Sequence, residues 1–265
     1  ITGASTGIGR ALAFAFARRG ARVALVARNE ERLEAVRREI EPYSADVLVV
    51  PADLTDEAQL ESAFQRTLEH FGRIDVLVNN AGLSMGGPLA ELDPVRVERM
   101  LRLNLWAAIR LTQLVLPGMR ARHSGYVMNI GSGAARVAVP YAAAYVTTKY
   151  GLAGFSDALR RELGGSGVHV TLVNPSWTAT DMLTPETRDV LLRYGYHVDD
   201  ADDVAERAVN GLVAGRHEVS IGGPLEMLAP YVERYAPFFL RLYWRIFMRE
   251  EWIDAMRDLG GDEGR

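Results

Sequence analysis

The chain has no cysteine and only one lysine in 265 residues. Without cysteine there is no disulfide, no thiol nucleophile and no cysteine-based metal site. That fits a reducing cytoplasm, which is the expected location. No apolar run reaches the roughly 20 residues of a membrane-spanning helix. A basic excess is missing too: the formal net charge is −4, which argues against nucleic-acid binding. The five histidines (His70, His123, His169, His197 and His217) are scattered without metal-ligand spacing, so no metal is expected. No Gly-x-Ser-x-Gly elbow occurs, which argues against an α/β-hydrolase. There is no internal repeat, low-complexity tract or linker. The start at Ile1-Thr2-Gly3 has no leader and reads as a first strand clipped at its beginning.

The lone lysine is informative in its place. Arginine supplies the other 29 basic residues, a bias that suggests a GC-rich bacterial genome. Lys149 stands four positions after Tyr145, a coincidence that ten tyrosines in 265 positions allow in about 4% of placements. A position that holds lysine in so arginine-biased a chain calls for a compact ammonium with a mobile proton, not a permanently charged guanidinium. At i and i+4 the two side chains share a helix face.

Short apolar runs alternate with longer helical ones, the rhythm of repeated βα units around a parallel sheet. The strands are expected at Arg22–Ala27, Asp46–Pro51, Ile74–Asn79, Tyr126–Ile130, Val168–Val173 and Glu218–Ile221, with Ile1–Thr2 as a seventh stub. They are rich in Val, Ile and Leu and lack alternation, as strands buried on both faces do. Helices are expected near Gly9–Arg19, Asn29–Ile40, Asp56–Phe71, Pro94–Arg120, Tyr141–Leu163 and Asp200–Ala214. The fold class is therefore α/β: one Rossmann-type, doubly wound parallel sheet of about seven strands flanked by helices. Residues 1–223 would form the nucleotide-binding and catalytic domain, and 224–265 a helical extension of that same domain.

Thr2-Gly3-Ala4-Ser5-Thr6-Gly7-Ile8-Gly9 follows the strand stub and enters an Ala-rich helix. Glycines there allow a tight turn and a close approach to a pyrophosphate, which the helix N-terminus favours. Such a loop alone is equally compatible with a structural turn; its position at the first βα junction favours a nucleotide. After the second strand, Ala27 stands where an acid would hold a free ribose hydroxyl, and Arg28 follows. A guanidinium there can pair with a 2′-phosphate, so NADP(H) is favoured over NAD(H). The plainer alternative is that Arg28 solvates a strand end.

Taken together, these residues resemble the short-chain dehydrogenase/reductase family, in its Tyr-x-x-x-Lys branch. The resemblance runs to about Gly223. It rests on the loop Thr2–Gly9, Asp53-Leu54, Asn79-Asn80-Ala81-Gly82, Asn104, Ser132, Tyr145 with Lys149, and Asn174-Pro175 with Thr180, in that order. It implies cofactor contacts from Gly3, Ser5, Thr6, Gly7, Ile8, Gly9 and Arg28. Asp53 would bond the adenine amino group with Leu54 beside it, and Asn80, Ala81 and Gly82 would shape the cofactor's floor. Pro175 and Thr180 would lie at the nicotinamide, with Thr180 on the carboxamide. A Pro175-Ser176 pair, followed by Trp177, departs from the family's Pro-Gly.

The resemblance also implies a catalytic tetrad of Asn104, Ser132, Tyr145 and Lys149. Tyr145 would be the acid/base and Ser132 would hydrogen-bond the substrate oxygen. Lys149 would hold the nicotinamide ribose, and Asn104 a water that links Lys149 to solvent. A free phenol titrates near 10, and an ammonium plus an oxidised nicotinamide would be asked to lower that by about two to three pH units. Met85, Val137, Tyr141, Trp177 and Met182 would line an apolar pocket for a hydrophobic ketone or secondary alcohol, although a buried-core role is open for some of them. The loops Ser84–Pro88, Gly133–Tyr141 and Trp177–Tyr194 would wall it. By resemblance a homodimer or homotetramer forms through Pro94–Arg120 and Tyr141–Leu163. The reading from another class is a nucleotide-binding regulator or scaffold, against which an intact Ser132, Tyr145 and Lys149 argue.

The segment Leu225–Leu259 is longer and more aromatic than the fold needs. Arg241, Arg245 and Arg249 recur every four residues beside an apolar face. Such a stripe can lie at a membrane surface; packing over the pocket or against a second subunit is the preferred reading.

Overall fold

The computed structural model describes residues 1–44, 46–247 and 250–259. Arg249 and the last residues of the tail lie outside them. Six parallel strands carry the fold: β1 (Val23–Ala27), β2 (Val47–Pro51), β3 (Val76–Asn79), β4 (Gly125–Ile130), β5 (Val168–Pro175) and β6 (Glu218–Ile221). β1 pairs with β2, and β3 to β6 pair in sequence order. The expected seventh strand is reduced to one residue. Thr2 bridges Val26 of β1, and its amide donates to Val78 O of β3 at 3.0 Å. Pairing stops there because Gly3 turns away at φ +65°, which a side chain would resist. The resulting order is β2-β1-stub-β3-β4-β5-β6. Strand order therefore reverses between the stub and β3, where open α/β sheets bind ligands.

Helices cover both faces, and the strand residues facing them explain why. On one side α3 (Glu57–Phe71), α5 (Ala107–Ala121) and α6 (Ala143–Glu162) bury Leu60, Leu111, Val115 and Leu159 against Val50, Leu77, Val127 and Val170. On the other side α1 (Gly7–Ala17), α2 (Glu30–Ile40) and α8 (Ala201–Val213) bury Leu12, Leu33, Val36, Val209 and Leu212 on the sheet. Two strands do not read as two-sided. β6 alternates, with Glu218 and Ser220 exposed, and β2 is mostly half-buried, because these two are the edges.

The long helix expected at Pro94–Arg120 forms without interruption, but it is not uniform. α4 (Pro94–Leu101) runs through a wide π-type turn at Arg102–Trp106 into α5, and Asn104 sits inside that turn. α6 begins two residues later than expected, because Tyr141 adopts φ +64° and its carbonyl accepts from Gly87 N at 2.6 Å. The expected loop Trp177–Tyr194 contains a helix, α7 (Pro185–Arg193), started by Thr184, whose hydroxyl accepts from Thr187 N, and by Pro185 at the first turn. A Thr178–Asp199 bridge closes the base of this excursion.

The tail forms α9 (Pro224–Tyr235), α10 (Pro237–Phe247) and α11 (Glu250–Arg257). α11 returns to α7: Thr187 Oγ1 donates to Ala255 O at 3.2 Å, and Arg193 pairs with Glu251. Arg257 pairs with Glu91 at 3.0 Å.

Candidate active site

The carboxyl ends of the stub and β3 meet so tightly that their loops interlock. Asn80 Nδ2 donates to Thr2 O (2.9 Å) and Gly3 O (3.2 Å), while the Asn80 and Ala81 amides both donate to Thr2 Oγ1. A Cβ on Gly9 would fall 2.0 Å from Gly3 O and 2.4 Å from Asn80 Nδ2. Only glycine fits there. The N-terminus of α1 is left open: Thr6 makes no side-chain cap and no acid lies in the first turn, whereas Asn29, Asp56 and Asp200 cap α2, α3 and α8. Free amides and a positive helix end suit a diphosphate. Thr180 lies over this loop, since a Cβ on Gly7 would meet Thr180 Cγ2 at 2.9 Å. Gly3, Gly7, Gly9, Asn80, Ala81 and Thr180 are thus brought together, with Ser5 and Ile8 half-buried in the same loop.

Asp53 and Leu54 follow β2. Leu54 is buried in the core, and Asp53 is half-buried. Burial alone would raise the Asp53 carboxyl, but the Thr55 amide and hydroxyl, with Arg99 and Arg28 nearby, hold it below the usual range. Oδ1 accepts from Thr55 N and Oγ1, and Oδ2 from Arg99 at 3.0 Å. An adenine amino group at this carboxylate would therefore share Oδ2 with Arg99. Arg28 is exposed at the end of β1, one turn before the exposed Arg32 of α2.

The tetrad residues converge from three elements. Ser132 follows β4, accepts from Ala134 N at 3.1 Å and hydrogen-bonds the Tyr145 phenol. On α6, Lys149 is buried and donates to Ile130 O at 3.0 Å, its Nζ 5.6 Å from the Tyr145 ring centroid. Two of its three protons stay available to other acceptors. Burial lowers Lys149 to about 8, which still leaves it mostly charged at neutral pH. Tyr145 is shifted by the protein's own groups. Enclosure of its hydroxyl end pushes the phenol up, and the Ser132 hydrogen bond only partly offsets that. Without cofactor, Tyr145 is therefore a neutral phenol at neutral pH.

Asn104 is buried, and its amide is occupied. Nδ2 donates to Leu83 O (2.8 Å) and Thr148 Oγ1 (3.2 Å), and Oδ1 accepts from Leu83 N (2.7 Å). It clamps the loop that carries Gly82 to the helix that carries Lys149. A water would then have to use the remaining Oδ1 lone pair or a main-chain carbonyl of the π-type turn. A cavity of about 10 Å³, about the size of one water, lies beside it, lined by Thr2, Asn79, Asn104 and Ile130 among others. Asn79, one of these lining residues, has its Oδ1 buried without a partner.

On the substrate side, Met85 is buried beside Met100, Ala144 and Tyr145. Tyr141 and Trp177 join an aromatic cluster with Tyr194, Tyr196, Trp244 and Trp252. Val137 and Met182 are half-buried but stand outside this cluster. Pro175 is buried at the end of β5, and Ser176 is accommodated by Gly222, whose added Cβ would fall 2.8 Å from Ser176 Cβ. A helical tail packed over the pocket was expected, but the residues of α11 that do the packing were not singled out. Trp252, Ala255, Met256 and Leu259 pack into the aromatic cluster, and a Cβ on Gly86 would fall 2.4 Å from Met256 O. Their i, i+3, i+4, i+7 spacing is a readable helical stripe.

The short chain dehydrogenase family model matches residues 1–191. The chain belongs to the short-chain dehydrogenase/reductase family. Ketoacyl reductase HetN of Nostoc sp. is 35% identical over 71% of this chain and 66% of its own length, so the match spans just under two thirds of that relative. Dehydrogenase/reductase SDR family member 7B of Bos taurus is 32% identical over 91% of this chain and 78% of its own length. Among solved structures, a short-chain dehydrogenase from Sphingobium yanoikuyae in complex with NADPH superposes with a TM-score of 0.76 at 30% identity. That alignment covers 94% of this chain and 95% of the other. The family is one of oxidoreductases, and its NADPH- and NADP-bound members among the solved structures point to a nicotinamide cofactor.

Proposed function

We propose that the protein is an NADP(H)-dependent oxidoreductase that interconverts a hydrophobic ketone and its secondary alcohol, with Tyr145 as the acid/base. The observation that carries this is the convergence of Ser132, a neutral Tyr145 and a buried Lys149 at one sheet end. The interlocked glycines and the uncapped α1 fit a dinucleotide, and Arg28 fits its 2′-phosphate better than the acid that Ala27 replaces. When bound, the nicotinamide supplies or takes up the hydride.

The chain's own residues handle the proton. Ser132, fixed by its Ala134 contact, donates a hydrogen bond to the substrate oxygen and stabilises the charge that develops there. Tyr145 gives its proton to that oxygen. A phenol is protonated at neutral pH and can do so in reduction, while in oxidation Tyr145 takes the proton back as a base. Lys149 offers its remaining protons to the ribose hydroxyls and compensates the phenolate once the proton has left. Trp177, Tyr141 and Met85, backed by the buried Trp252 and Met256 of α11, exclude water and select an apolar substrate. We further propose pairing of subunits through α4–α5 and α6, where Trp106 and Tyr150 are exposed.

NADPH oxidation against a panel of apolar ketones tests the reading, with Tyr145→Phe alongside. Loss of turnover by at least about a hundredfold, with NADPH affinity retained, is the expected result. Undiminished turnover in the mutant would overturn the mechanism. Tight NADPH binding with no turnover on any ketone would favour a regulator.

A further inference from the structure

Nine of the sixteen large hydrophobic side chains most exposed among the described residues fall between Leu225 and Ile246. That concentration is not random scatter. In α9 the exposed apolar residues are Leu225 in the first turn and then Met227, Leu228, Tyr231 and Tyr235; in α10 they are Phe238, Phe239, Leu242 and Ile246. From Met227 and from Phe238 onward the two sets follow the same i, i+1, i+4, i+8 spacing, which keeps each within an arc of about 100° of its helix. Each last anchor is preceded by an exposed arginine, Arg234 or Arg245, and Arg241 adds a third. The opposite side of α10 turns inward with Leu240, Tyr243 and Trp244, so the helix is seated on the protein by one face only.

The charges decide what covers this surface. Of the residues from Pro224 to Ile246, the only acids are Glu226 and Glu233, and both are half-buried. Glu226 is held by the His197 amide at 2.8 Å. The outward face therefore carries apolar groups and arginines with no exposed acid, on a chain of net charge −4. A second copy seated on it by two-fold symmetry would set the arginines of one patch against those of the other, with no carboxylate between them. An anionic bilayer surface offers what both groups need: acyl chains for the apolar arcs and phosphates for the guanidiniums. No described helix is long and apolar enough to cross a membrane, so the contact would be interfacial.

We propose that α9 and α10 form a peripheral docking surface for anionic lipid bilayers. The apolar arcs enter the headgroup boundary, and Arg234, Arg241 and Arg245 lie among the phosphates. The exposed area, on the order of several hundred Å², is of the size that marks an interaction site. The inference does not depend on the proposed reaction.

Co-sedimentation of the full chain with phosphatidylcholine vesicles, with and without phosphatidylglycerol, tests it. The wild type should pellet with the anionic vesicles and much less with the neutral ones. Arg241→Gln/Arg245→Gln should bind about thirtyfold more weakly, at about fivefold per arginine. Phe239→Glu/Leu242→Glu should abolish pelleting. These side chains face solvent, so Tm and circular dichroism should match the wild type in both variants. Failure of the wild type to pellet with anionic vesicles would overturn the proposal, and so would pelleting that survives Phe239→Glu/Leu242→Glu. A wild-type oligomer that dissociates on the apolar substitution, without lipid binding, would assign the face to a second copy instead.

Discussion

Lys149→Met separates what the buried ammonium costs the fold from what it gives the chemistry. Burial holds this ammonium at about 8 against an ordinary value of 10.5. At about 1.4 kcal/mol per tenfold, carrying the charge destabilises the folded state by about 3 kcal/mol at neutral pH. Because the folded-state pKa is the lower one, the unfolded chain keeps its proton between about 8 and 10.5 while the folded chain has released it. Stability therefore rises with pH across that window, and the full penalty stands only below about 8. Methionine has no proton to release, so its stability lacks this rise.

At neutral pH the exchange should be nearly neutral. Methionine removes about 3 kcal/mol of desolvation but leaves Ile130 O without its donor, a loss of about 1–3 kcal/mol. The assay is urea denaturation of Lys149→Met and its parent from pH 7 to 10, both in a Tyr145→Phe background so that this phenol does not titrate in the same range. The parent should gain on the methionine variant by roughly 2–3 kcal/mol over that range. A stability difference that stays constant with pH would refute the reasoning, since it would mean that Nζ is as well solvated folded as unfolded.

Other substitutions probe the cofactor side and the tail. Gly9→Ala places a Cβ against Gly3 O and Asn80 Nδ2, and should lower stability by about 3 kcal/mol or more and abolish NADPH binding; thermal melts with and without nucleotide read both. Arg28→Ala should weaken NADPH binding by roughly ten- to a hundredfold and NADH binding hardly at all, measured by titration of each nucleotide. Trp252→Ala should destabilise by about 3–5 kcal/mol, because the ring fills the cluster between Trp177, Tyr194, Tyr196 and Trp244. Trp252→Phe should cost much less: it keeps an aromatic ring and deletes an Nε1–H that is buried without a partner, so denaturation midpoints should rank wild type and Phe close together and Ala far below.

What could be read from sequence was whatever chemistry acts locally. Buried strands announce themselves by continuous Val, Ile and Leu, and β1, β4 and β5 lie within two residues of the expected bounds. Lys149 could be found because its residue type was unusual for this chain, and Tyr145 because it stood one helical turn away. The π-type turn at Arg102–Trp106 left no such trace. Asn104 looks like any helix-interior asparagine until Leu83 and Thr148 are seen to take its hydrogen bonds. The direction of the Tyr145 shift was also out of reach, since proximity to Lys149 is a matter of spacing while enclosure of the phenol oxygen depends on the whole fold. The tail shows the same divide within one segment. Its apolar spacing was legible, but which arc turns inward was not: α11 reaches Gly86 across about 170 residues, and α10 is seated through Tyr243 and Trp244 on Tyr196 and Trp252. One aromatic-rich segment is thus divided by its packing: Trp252 and Met256 are buried in the aromatic cluster, while Phe238, Phe239 and Leu242 stay exposed.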